Sequence, residues 1–160
     1  MSMIGNFLAV SPNQAEFLKT HPDQIEGFLY SDHVQDGADL LGIDKAWHGL
    51  HYLLTGSVWE GDEPLRSVVL GGEEVGEDVG CGPARFLDVD HVKEICAVLA
   101  EVDIESLTQR YDAQAMNDAE IYPPNWGDED CDWLIEAFEK VLNFYSEAAS
   151  RGQCVVLFLN

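Results

Sequence analysis

Asp44, His48, His51 and Thr55 recur every three or four residues within Leu41-Gly42-Ile43-Asp44-Lys45-Ala46-Trp47-His48-Gly49-Leu50-His51-Tyr52-Leu53-Leu54-Thr55-Gly56. At about 100° per residue they fall on one helical stripe roughly 60° wide, beside the apolar arc of Ile43, Trp47, Leu50 and Leu54. A polar stripe at the rim of a buried face is where a pocket wall would lie, and it offers a carboxylate, two imidazoles and a hydroxyl for acid–base work or metal ligation. The rise of about 1.5 Å per residue restricts cooperation. Asp44 and His51 stand about 10 Å apart, whereas Asp44 to His48 and His48 to His51 are one turn each. The two histidines could share a metal only with a third ligand from elsewhere, and the glutamate of a zincin helix is missing, so no metal is expected. A plainer reading makes His51 an edge-of-core histidine whose ring nitrogen meets a backbone carbonyl, with His48 solvated.

Two further groups carry chemistry. Arg85, after Gly82-Pro83-Ala84, opens a strand and could clamp an anion bidentately; the competing expectation is an internal ion pair with one of the 30 acids. Glu120-Ile121-Tyr122-Pro123, followed by Trp126, sets a carboxylate and two aromatics on a rigid connector. The structural alternative has Tyr122 and Trp126 plugging the core edge and Glu120 taking a structural hydrogen bond. No glycine-rich phosphate cradle, nucleophile elbow or paired Cys-His motif is present, and no cofactor is expected.

The elements that must hold these residues suggest an α+β fold in one domain over 1–160, with a small mixed sheet that includes the N- and C-terminal strands and is covered by helices. Met3 to Val10 reads as a buried strand, and Ser11 as the N-cap of a helix with Pro12 at its first position. A second short helix runs from Pro22 to about Tyr30, and Ser31 to Leu41 is a connector. Asp44 is placed to cap the central helix, and Gly56 to end it in the left-handed conformation. Ser57 to Gly82 is glycine-rich and acidic, a mobile or lid-like stretch with Ser67-Val68-Val69-Leu70 as a short strand inside it. Arg85-Phe86-Leu87 is a brief strand. Asp88 caps a helix carrying Val92, Ile95, Cys96, Leu99 and Val102, and Asp103 or Glu105 opens the next. Met116 to Pro124 is a connector, Asp128 to Arg151 the longest helix, and Cys154 to Leu159 a strand buried on both faces.

The outlier in composition is charge: 30 Asp plus Glu against 8 Lys plus Arg, a formal net charge of -22. Such a field repels nucleic-acid phosphate and anionic membrane, and favours a basic protein partner or cations; solubility alone is the bland explanation. Cys81, Cys96, Cys131 and Cys154 are irregularly spaced and read as small hydrophobes. The start of the chain lacks a basic leader and no apolar run reaches about 18 residues, so a cytoplasmic setting is expected.

Four blocks carry a resemblance: Met3-Ile4-Gly5; Ile43-Asp44-Lys45-x-Trp47-x-x-Leu50-His51-x-x-Leu54-Thr55-Gly56; Pro64-Leu65 with Leu70-Gly71; and Met116-Asn117-x-x-Glu120-Ile121-Tyr122-Pro123. In this order and nearly end to end, the chain resembles the YfbM-like bacterial domain-of-unknown-function family. The resemblance implies one compact α+β cytoplasmic domain and brings no activity, cofactor or catalytic residue. Where relatives look similar to Gly-Tyr-Gly-Pro-Ala-Arg, this chain has Gly80-Cys81-Gly82-Pro83-Ala84-Arg85. The leading functional expectation is a non-catalytic binding protein, of immunity or adaptor type, whose acidic surface engages a basic partner. The alternative is a small hydrolase or ligand-binding enzyme with a cleft lined by His51, Arg85, Glu120 and Tyr122. Asp44, Trp47 and His48 complete the candidate ligand-binding set.

Overall fold

In the computed structural model, which describes residues 2–160, the apolar run Cys154–Leu159 is the middle strand of a sheet. The strands are β1 (Gly5–Val10), β2 (Leu40–Gly42), β3 (Glu73–Asp78), β4 (Pro83–Leu87) and β5 (Cys154–Leu159), in the order β2-β1-β5-β4-β3. A central strand covered on both sides needs apolar residues on both faces, and β5 supplies them alternately. Val155 and Leu157 join Phe7, Ala9 and Leu87 in one core, while Cys154, Val156 and Phe158 join Leu8, Val10, Ala84 and Phe86 in the other.

Helices α1 (Pro12–Thr20), α2 (Ile25–Leu29) and α3 (Asp32–Gln35) pack on the second of these faces. The first face is covered by α4 (Trp47–Thr55), α5 (Ser67–Leu70), α6 (Val89–Ala100), α7 (Ile104–Arg110), α8 (Ala113–Asp118) and α9 (Asp130–Ser150). The result is the expected α+β architecture, with strands near both ends of the chain paired side by side: Gly5 faces Leu159 and Val10 faces Cys154. Among the described residues no helix is long and apolar enough to cross a membrane.

Several local signals act as their chemistry dictates. The Ser11 hydroxyl accepts from the Gln14 N–H at 3.1 Å, Asp88 from His91 at 2.8 Å, and Asp103 from Glu105 at 3.3 Å, each satisfying a donor left open in a first helical turn. Gly56 ends α4 at φ 73°, where a side chain would be strained.

Other expectations are corrected. The sheet is antiparallel throughout, not mixed. The short α1–α3 return the chain to the end of the sheet where β1 left it, so β2 runs back against β1 instead of crossing over. Ser67–Leu70 is helical despite its adjacent valines. The Ser67 and Val68 N–H groups close turns on Pro64 and Leu65, the Ser67 hydroxyl donates to Glu63 at 2.6 Å, and both valines are buried, with the Tyr145 hydroxyl donating to the Val68 carbonyl at 2.6 Å. Packing has overridden β propensity. Downstream of it β3, Glu-Glu-Val-Gly-Glu-Asp, is an edge strand within the stretch expected to be lid-like, its charges outward and a bulge between Val75 and Asp78. The presumed connectors contain α3, β2 and α8.

Candidate functional site

Asp44 does not cap α4. It sits in the left-handed region at φ 53°, exposed, and opens a 3-10 turn over Asp44–Ala46 from which α4 begins with no side-chain cap. Aspartate tolerates this conformation better than most residues, and the chain needs it because it passes from the end of β2 into the turn within two residues.

His48 makes the backbone-carbonyl contact expected of His51, and neither ring is solvated. His48 is not solvated but 1% exposed. Its Nδ1 accepts the Tyr122 N–H at 2.9 Å, so Nε2 carries the proton and donates to the Val58 carbonyl at 2.9 Å. With both nitrogens engaged the ring is neutral and has no lone pair for a metal. Burial holds its pKa below the ordinary histidine value, with the Val58 carbonyl pulling weakly the other way. The ring stacks against both Trp47 and Trp59, with centroids at 5.0 and 4.3 Å, the two indoles themselves lie 6.5 Å apart, and Trp47 also stacks on Tyr122 at 5.8 Å.

His51, also 1% exposed, has neither ring nitrogen hydrogen-bonded. The Glu60 backbone is near enough to favour the charged form slightly, without bond geometry. Desolvation dominates and, with His48 and Arg66 adding repulsion, depresses the His51 pKa to about 4. Among the described residues no three His, Cys, Asp or Glu side chains are grouped to hold a metal ion.

Tyr122 and Trp47 grip the start of the chain together: the Tyr122 hydroxyl accepts from the Met3 N–H at 2.9 Å, and the Trp47 indole donates to the Met3 carbonyl at 3.0 Å. Beside them, Asn117 bonds both backbone groups of Trp126 at 2.8 and 2.9 Å, and the Trp126 indole donates to the Ile121 carbonyl at 2.9 Å. Trp47, His48 and Tyr122 are therefore one stacked, hydrogen-bonded unit. Among the described residues no side chain of the other candidates hydrogen-bonds to it or stacks on it. Glu120 is exposed at φ 57°. Asp44 lines a cavity of about 320 Å³ with Trp133 and Lys140, and Arg85 lines two others; none of these three cavities is lined by His51, Glu120 or Tyr122.

Arg85 forms no ion pair among the described residues, contrary to the structural expectation; its Nη1 donates instead to the Val69 and Gly71 carbonyls at 3.1 and 3.3 Å. Around it lie residues outside the candidate set read from the sequence. A cleft of about 460 Å³ is lined by Lys19, Arg66 and His91 as well as Arg85, and an adjoining one of about 290 Å³ by Trp59, Cys81 and Pro83. Trp59 is 56% exposed. An isolated tryptophan in an acidic, glycine-rich stretch was the signal available. All four cysteines are free thiols, and only Cys154 is fully buried.

Residues 1–158 match the family described as "Domain of unknown function (DUF1877)". The chain belongs to this family. Among curated proteins, the DUF1877 chain is 28% identical over 166 residues to protein YfbM of Escherichia coli (strain K12), with 95% of each covered. Its fold matches the crystal structure of YfbM from Escherichia coli, a protein of unknown function, with a TM-score of 0.77, 24% identity, and coverage of 98% of this chain and 99% of that one. In this DUF1877 member, three of the blocks that carried the resemblance meet at one place, through Met3, Trp47, His48 and Tyr122. Gly5 belongs to the same junction, since a Cβ there would stand 2.7 Å from the Trp47 Cβ. The motif residues with the most chemistry thus close the fold.

Proposed function

We propose that this protein is a non-catalytic binding domain, of adaptor or immunity type, whose acidic surface takes a basic protein partner. The observation that carries this reading is the disposition of its carboxylates. Every Asp and Glu is exposed except the half-buried Asp130, and among the described residues only Asp39, Glu63, Glu73 and Glu136 pair with a lysine or arginine and Asp88 with His91. Most of the negative field therefore faces outward, unneutralised, where it would steer and retain a cationic surface. The densest part follows the β3 edge. There Asp23, Glu26, Glu77 and Asp78 rim a groove of about 290 Å³ whose floor includes Pro22, Ile25 and Val79, an arrangement suited to lysine or arginine side chains with apolar stems.

The test is affinity capture with the purified protein over a salt series. Basic proteins should be retained at low ionic strength and released by about 0.5 M salt, where screening reaches a few ångströms. The triple variant Asp23→Asn, Glu26→Gln, Glu77→Gln should retain several-fold less. Asp78 is left intact because it accepts from the Gly80 and Gly82 N–H groups. Retention that is absent, or indifferent to salt and to these substitutions, would overturn the proposal.

A further inference from the structure

We propose that Arg85 anchors the carboxylate of a monoanionic ligand whose apolar group lies against Trp59. The inference does not depend on the basic-partner reading, because it concerns the opposite charge.

Arg85 is partly buried on β4, and burial disfavours its cation. Such a group ordinarily finds a carboxylate, and this chain has 30 acids to choose from. Glu74 nevertheless acts on it only at longer range, and the two hydrogen bonds it makes both use Nη1. Those bonds fix the guanidinium plane before any ligand arrives. Among the described residues Nε and Nη2 donate to no protein acceptor, which leaves the fork that a planar carboxylate fits.

The surroundings select the rest of the ligand. Arg85 lines both clefts, and in the smaller one Trp59, Leu70, Pro83 and Leu159 provide apolar walls. Trp59 is held as a platform by stacking on the buried His48 ring at 4.3 Å. On the other side, Lys19 is paired with Glu73 at 3.2 Å and Arg66 with Glu63 at 3.5 Å, while Glu74 and Asp88 add two more carboxylates. With Lys19 and Arg66 already paired, three lysine and arginine side chains against four carboxylates leave no surplus positive charge, so an anion is held by the free Arg85 fork alone, and the surrounding carboxylates penalise a phosphate dianion more than a single carboxylate. A carboxylate on an apolar group can come from a small acid or from the C-terminus of a peptide.

The probe is N-acetyl-phenylalanine, titrated to about 10 mM because a ligand this small binds weakly, with the Arg85 Nε–H and Trp59 indole N–H followed by ¹⁵N NMR. Both signals should shift saturably, N-acetyl-phenylalaninamide should bind at least about tenfold more weakly, and Arg85→Lys and Trp59→Ala should each weaken the acid by about tenfold. A short peptide ending in phenylalanine that binds more tightly than the probe identifies a peptide end as the natural source; one that binds more weakly identifies a small acid. Equal binding of acid and amide, phosphate binding more tightly than the acid, or an unmoved Arg85 signal would overturn the proposal. The amide and phosphate comparisons use the unaltered protein, so misfolding of a variant cannot decide the outcome.

Discussion

His48 and His51 are the same residue type one helical turn apart, equally buried, and opposite in consequence. His48 supplies the only partners described for the Tyr122 N–H and the Val58 carbonyl, whereas His51 supplies none and receives none. Replacing His48 by leucine strands two backbone groups and should cost roughly 2–4 kcal/mol, while His51→Leu removes an unpaired buried polar group and should leave stability unchanged or raised. Urea unfolding of the two variants checks this, and equal losses would contradict it. The pH dependence follows from the same contrast. With His51 depressed to about 4 by burial, and His48 and Arg66 opposing its charge, the unfolded chain binds the proton first as pH falls. The contribution is complete above about pH 6.5, declines between about 6.5 and 4, and is constant below; its size is at most about 3.4 kcal/mol. His51→Leu should flatten that slope, with His48 retaining a smaller one of the same sign. Composition of the stripe was legible in the sequence, but the assignment of roles was not. His48 is chosen by partners 10 and 74 residues away, which no local pattern encodes.

At the scale of elements, legibility followed amphipathicity. The long α6 and α9 and the two-faced β5 bury what their periodicity says they should, and the caps at Ser11, Asp88 and Asp103 sit where short polar side chains precede an apolar run. Helix α5 was hidden because Val68 and Val69 favour a strand until Tyr145 and the Glu63 to Leu65 turn claim them. Strand β3 was hidden because an exposed acidic edge carries no apolar alternation. Packing between elements makes a sharp prediction at two glycines. A Cβ on Gly49 would meet Trp126 at 2.5 Å and Leu134 at 3.0 Å, so α4 approaches α9 and the Trp126 loop only through a missing side chain. Gly49→Ala should destabilise by about 1–3 kcal/mol despite the better helix former. In α2, Gly27 has nothing within 4 Å of a built Cβ, and Gly27→Ala should stabilise by about 0.5–1 kcal/mol. Thermal unfolding of the pair reads the difference, and shifts of the same sign would refute the packing argument.

For the molecule as a whole, a net charge of -22 on 160 residues means that self-repulsion opposes the folded state. Raising salt from about 0.01 M to about 1 M shortens the screening length from about 30 Å to about 3 Å, and the melting temperature should rise by several degrees across that range. A flat or falling curve would mean that the surface ion pairs contribute more than the unpaired acids cost. Sheet order has a different kind of consequence, one that concerns time. Strand β1 pairs with β2, and β3 with β4, but β5 is what joins the two pairs into one sheet. Because β5 is last of the five in chain order, the ribosome releases two half-sheets before it releases their centre. During synthesis β1 and β4 each wait with an open edge and uncovered apolar side chains, and completion of the fold is set by translation of residues 154–159.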